Sequence, residues 1–129
     1  MNNAPYKPSH YASVSPYLVT RGASRTIDFL VHVFNAEELQ RIPSPSGQVM
    51  HAEVRLDDSI LMLADGTDHW PAVESHVHVY VSDVDAVYER AVKFGAVPVQ
   101  APVQKSDADK RGGVKDSGGT TWWIATRVE

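Results

Sequence analysis

From Ser75 to Ala96 the chain first alternates and then winds. Val77, Val79 and Val81 interleave with His76, His78 and Tyr80, the two-residue period of a half-buried strand. Val84, Val87, Tyr88, Ala91 and Val92 then recur at three- and four-residue steps, an amphipathic helix that Gly95 closes at C′. Ser82 with Asp85 three positions on resembles a capping box for this helix, with Asp in place of the usual Glu.

The same patterns stand 60 residues earlier, where Val19, Ile27, Val31, Phe34 and Ala36 fall on Val79, Val87, Ala91, Phe94 and Ala96. Residues 14–20 read as a strand, with Pro16 confining it to an edge. A helix follows from Gly22 to about Phe34, with its apolar stripe on Ile27, Leu30, Val31 and Phe34 and with His32 on the solvent side. Residues 36–42 form a second strand, which the turn at Pro43, Pro45 and Gly47 ends. In 49–56, Met50, Ala52, Val54 and Leu56 make an apolar face opposite His51, Glu53 and Arg55. Asp57-Asp58 turns the chain into a strand over 59–64, and a loop carrying Trp70 follows.

The second copy continues with a strand over 96–101, a polar, glycine-rich loop through Gly113, a short strand near Val114 and a final strand over 120–126. There Trp122 points with Ile124 toward the helices and Trp123 points the other way. The expectation is an α+β domain made of two β-α-β-β-β modules, about 14–65 and 76–127, behind a flexible arm at 1–13.

Composition narrows the function classes. Among 129 residues the formal charge is −4, which leaves no concentrated positive field for nucleic acid or a membrane surface. There is no cysteine, so disulfides, zinc thiolates and thiol nucleophiles are excluded. No apolar run approaches the roughly 20 residues that span a bilayer, and the first residues lack the apolar core of a secretory signal. A cytoplasmic protein is expected.

In each module the helix covers one sheet face. The other face gathers Leu18, His51, Glu53, Met62, His76, His78, Tyr80 and Trp123, with Trp70 on the neighbouring loop. Polar groups converging among large apolar ones describe a small-molecule pocket.

Four segments carry a resemblance: YLVTRGASRTIDFLVHVFNAEEL, VMHAEVRLDDSILMLAD, HVYVSDVDAVYERAVKFGA and WWIAT. They resemble the vicinal oxygen chelate superfamily, which includes glyoxalase I, bleomycin- and fosfomycin-resistance proteins and extradiol dioxygenases, and within it the PhnB-like branch. The resemblance implies paired βαβββ modules in a U-shaped mixed sheet, assembled as a homodimer around a divalent-metal or ligand site. It places the family's four metal ligands, one on the first and one on the fourth strand of each module, at Pro16, Met62, His76 and Trp123. Of these only His76 offers a suitable donor, because Pro and Trp present no lone pair and a thioether binds hard cations poorly. The usual metal centre, and with it glyoxalase I activity, is therefore not expected.

Three readings stay open. One is a metal-free, dimeric small-molecule-binding protein. Another is a lyase, isomerase or dioxygenase with a divalent ion displaced onto the same-face pairs His51/Glu53 and His76/His78. The third is metal-free acid–base chemistry, with His51 as base and Glu53 orienting it. Trp123 could stack on a planar ligand or fill the space of a lost metal. Lys110 and Arg111 could meet an anion or form a solvated basic loop.

Overall fold

The computed structural model describes residues 5–129. Its elements are β1 (Tyr17–Thr20), α1 (Ala23–Phe34), β2 (Glu37–Pro43), β3 (Val49–Leu56), β4 (Ser59–Asp65), β5 (Ser75–Tyr80), α2 (Val84–Lys93), β6 (Val97–Gln104), β7 (Asp109–Lys115) and β8 (Thr120–Arg127). They form two four-stranded sheets, ordered β1-β4-β3-β2 and β5-β8-β7-β6. In each, the first strand runs parallel to the fourth and the other neighbours are antiparallel. The domain is α+β with two βαβββ modules, as the repeat implies.

The modules match more closely at a spacing of 61 than at 60 up to the helices. Ala23 and Val84 open the two helices. The Ala23 N–H donates to Asp65 Oδ1 (2.8 Å), and the Val84 N–H donates to Thr126 Oγ1 (2.9 Å). Leu18 and Val79 are both buried. Only beyond the helices, at Ala36 and Ala96, does the 60-residue spacing hold. This phase shift decides which side chains of β1 face outward.

Each helix start has its own solution. Gly22 precedes α1 at φ 75°, a left-handed conformation that suits glycine, and offers no side-chain cap. Asp65 supplies the missing acceptor and, through Oδ2, also takes the Val49 N–H at 2.7 Å. At α2 the cap is Asp83, not Ser82. Its extended backbone lets the carboxylate accept from the Ala86 N–H at 3.2 Å. Asp85 falls inside the first turn and pairs with Lys110 Nζ at 2.8 Å.

Two strand expectations are corrected. Met50 is exposed and Val49 buried, the reverse of the simple alternation. A register shift between Ile42↔His51 and Pro43↔Val49 leaves Met50 unpaired, and such a bulge flips the facing of the residues before it. The expected long loop through Gly113 is instead mostly strand, since β6 reaches Gln104 and β7 starts at Asp109. Gly112 and Gly113 sit inside β7 because neighbours press on them. A Cβ on Gly113 would lie 2.6 Å from the Trp123 ring, and one on Gly112 would lie 3.1 Å from Pro102 and Tyr88.

A single apolar core lies on the helix side of both sheets. Trp122, fully buried, meets Phe29 and Phe34 with ring centroids 5.9 and 5.8 Å away. The α1 stripe is accordingly wider than its sequence pattern, with Thr26, Phe29 and Val33 buried beside Ile27 and Leu30. Arg90 of α2 donates from Nε (2.9 Å) and Nη2 (2.7 Å) to the Val33 carbonyl near the end of α1, tying the two modules together. With the helices between them and inward, the opposite sheet faces are left outward.

Candidate functional site

On the first module's outer face, Tyr17, Met62 and Glu53 share a row across β1, β4 and β3. His51 stands two residues from Glu53 on the same side, and the two hydrogen-bond, Nε2 to Oε2, at 2.8 Å. The Tyr17 hydroxyl lies 3.2 Å from His51 Nδ1. The Tyr11 hydroxyl donates to the other Glu53 oxygen. Donation from His51 and then from Tyr11 holds the Glu53 carboxyl below the ordinary glutamate range, and the same bond to Glu53 raises the Tyr11 phenol. From the expected arm, Tyr11 thus reaches this face; residues 1–4 lie outside the described ones.

Leu18, expected on this face, belongs to the buried core. Sliding the copies by 60 set Leu18 on His78, whereas the strand pairings set Tyr17 on His78: Tyr17 pairs with Met62 as His78 pairs with Trp123. Tyr17 and Val19 are therefore the outward residues of β1, and Pro16 lies before the strand with its carbonyl accepting from the Met62 N–H at 2.9 Å.

Beside this polar chain is a cavity of about 730 Å³. Its walls include Tyr17, Val19, Val49, Met50, Ala64 and Trp70. Asp65 reaches it too, with its oxygens already engaged by the Ala23 and Val49 N–H groups. Trp70 is three-quarters exposed, on a turn closed by its own N–H to Thr67 Oγ1 at 3.1 Å.

The second module's outer face carries a different set. The Trp123 indole N–H donates to His76 Nδ1 at 3.1 Å, and the two rings lie near parallel at 8°. Arg111 Nε donates to His78 Nε2 at 3.0 Å, while its other nitrogens pair with Asp107 (3.2 Å) and Asp109 (3.0 Å). The Tyr80 hydroxyl donates to Asp109 Oδ2 at 2.6 Å. Partial burial, then the Arg111 charge, lowers the His78 imidazole, and the bond to Asp109 raises the Tyr80 phenol. Lys110 and Arg111 point to opposite faces and both are met by carboxylates, so they form no joint anion site. His78 and Tyr80 also line a cavity of about 370 Å³ against Pro16 and the β3–β4 turn.

The residues do not fit the metal centre that the fold family implies. Met62 is a thioether, Trp123 spends its only polar group on His76, and the outward side chain of β1 is a tyrosine bound to His51. Among the described residues, no three His, Asp or Glu side chains converge to hold an ion. His51 with Glu53 and His76 with His78 each form bonds only on their own module face, so the displaced set is not gathered within one chain.

Of the expected pocket residues, Trp70 lines the large cavity; His51 and Glu53 stand behind Tyr17 rather than in its wall. Tyr17, Val19 and Met50, which line it as well, are not among the expected residues. For β1 the signal was present in its own alternation, once Leu18 rather than Val19 is matched to Val79.

The sequence profile of the Glyoxalase/Bleomycin resistance protein/Dioxygenase superfamily matches residues 7–124. An uncharacterised protein of Mycobacterium bovis is 35% identical over 127 residues, covering 90% of this chain and 84% of its own. Among solved structures, TioX from Micromonospora sp. ML1 superposes with a TM-score of 0.76 at 26% identity, over 90% of this chain and 98% of that one. A PhnB protein from Bacillus cereus gives 0.73 at 17%, over 89% and 99%. TnmS3, an antibiotic binding protein from Streptomyces sp. CB03234, gives 0.68 at 18%, over 91% and 99%.

Proposed function

The chain belongs to the glyoxalase/bleomycin resistance/dioxygenase superfamily, and from that premise we propose that it is a dimeric small-molecule-binding protein that works without the family's metal. One observation carries the reading: the first module's outer face holds an apolar cavity of about 730 Å³, within the size range of ligand pockets, with Tyr17 in its wall. Trp70 offers a planar apolar surface at its mouth. TnmS3, an antibiotic binding protein, shares this fold, which supports a binding role here.

The dimer is supported by the outer faces themselves. Tyr17, Met50, Trp70, Tyr80 and Val99 are exposed large side chains, more than single scattered residues account for. A second copy laid over these faces would close the cavity and bring the two polar sets together. Sedimentation at micromolar concentration is expected to give twice the chain mass; a monomer there would remove this part of the reading.

Binding is tested by calorimetric titration of bicyclic and tricyclic aromatic compounds against the wild-type protein and Trp70→Ala. Wild-type dissociation constants in the micromolar range, weakened about tenfold in the variant, are expected, since loss of a stacked aromatic wall costs on the order of 1 kcal/mol or more. If no aromatic compound binds, the reading fails.

A further inference from the structure

The cavity has a polar edge whose direction is set by a relay behind it. Glu53 is held as the carboxylate by its two donors, so it can only accept. When the His51 imidazole is neutral, this bond to Glu53 puts its proton on Nε2, which leaves Nδ1 as an acceptor. Tyr17 is the group at Nδ1, at 3.2 Å, so its hydroxyl hydrogen is committed to His51. Tyr17 lines the cavity, and its oxygen then keeps free lone pairs with no hydrogen to give. Of the other polar residues of the wall, Asp65 is bound to two backbone N–H groups, Ser44 Oγ is bonded to Ser46 and Thr67 Oγ1 takes the Trp70 N–H, while Gln48 adds an amide that can both donate and accept.

We propose that Tyr17, oriented by His51 and Glu53, is a hydrogen-bond-accepting recognition residue that selects aromatic ligands bearing a hydroxyl group over the same rings without a donor. The proposal rests on the small-molecule reading above and deepens it by naming the ligand class. Val19, Val49, Met50, Ala64 and Trp70 take the ring, and the Tyr17 oxygen takes the ligand's O–H. His51 and Glu53 do not touch the ligand. They are positioning residues that fix which way the Tyr17 hydroxyl points.

The test compares 2-naphthol with 2-methoxynaphthalene, which have the same ring system with and without the donor, by calorimetry at pH 8.5. In the wild-type protein the naphthol should bind about fivefold tighter, the value of one neutral hydrogen bond. Tyr17→Phe should bring the two affinities to within about twofold of each other. Nitrogen-15 NMR of the imidazoles supplies a readout independent of any ligand: His51 should be the Nε2–H tautomer in wild type and in Tyr17→Phe, and Glu53→Gln should disturb it. Equal binding of both probes, or an Nδ1–H tautomer at His51, overturns the relay but leaves the binding reading standing. Binding of neither probe overturns both.

Discussion

At the scale of single residues, two carboxyl groups pull stability in opposite directions with pH. Glu53 has a lowered folded pKa, through His51 first and Tyr11 second. Its contribution is therefore complete above an ordinary glutamate's value of about 4.3 and is lost as the pH falls through the lower folded value. Asp116 is the reverse. Burial raises it, although it accepts from the Gly118 and Thr120 N–H groups and the Trp122 indole. Its contribution is present below the ordinary aspartate value and fades as the pH rises through the raised one. Urea unfolding between about pH 3 and 7 should show Glu53→Gln with a flatter rise on the acid side than wild type. Asp116→Asn should gain on wild type as the pH climbs. Parallel profiles for all three proteins would contradict both assignments. Gly113 gives a steric counterpart. Gly113→Val should cost about 1–3 kcal/mol by overpacking, and should move the Trp123 ring off His76, read as a shift in tryptophan emission.

At the scale of elements, Asp65 ties the start of α1 to the start of β3 with one carboxylate. Asp65→Ala should therefore cost about 2 kcal/mol in chemical denaturation, a cap plus a second bond. Thr126→Val should cost about 1 kcal/mol or more, because Thr126 Oγ1 accepts from the Val84 N–H and donates to the Val81 carbonyl, and the Asp83 cap serves a different N–H, that of Ala86. A loss below about 0.5 kcal/mol for Asp65→Ala would contradict its double role. The repeat, the two helices and the β3 alternation beyond Met50 were legible because period and burial coincide there. The phase of β1 was not, since the run from the helix start to the next strand is one residue longer from Ala23 to Ala36 than from Val84 to Ala96, and a ruler of constant spacing cannot register that. Nor was β7, where glycines that make room for Trp123, Tyr88 and Pro102 read like loop glycines. The polar pair of His51 and Glu53 was visible as an i, i+2 spacing. Its partners Tyr17 and Tyr11 are brought in from other elements, and only the fold supplies them.

At the scale of the whole molecule, the two modules share one core on their helix side, fastened by Trp122 and by Arg90 on the Val33 carbonyl. That arrangement turns both chemically distinctive faces outward. One is an apolar cavity edged by a Tyr–His–Glu relay; the other is a closed set of ion pairs around Arg111. Of the four positions expected to hold an ion, only His76 carries a suitable donor, and it accepts the Trp123 indole N–H. No helix among the described residues is long and apolar enough to cross a membrane. The most direct measurement is an amide and indole NMR titration of the whole chain with 2-naphthol. Saturable shifts gathered at Val19, Val49, Met50, Ala64 and the Trp70 indole are predicted. No shifts, or shifts confined to the smaller hollow around Phe94, Gly95 and Ala96, would contradict the account.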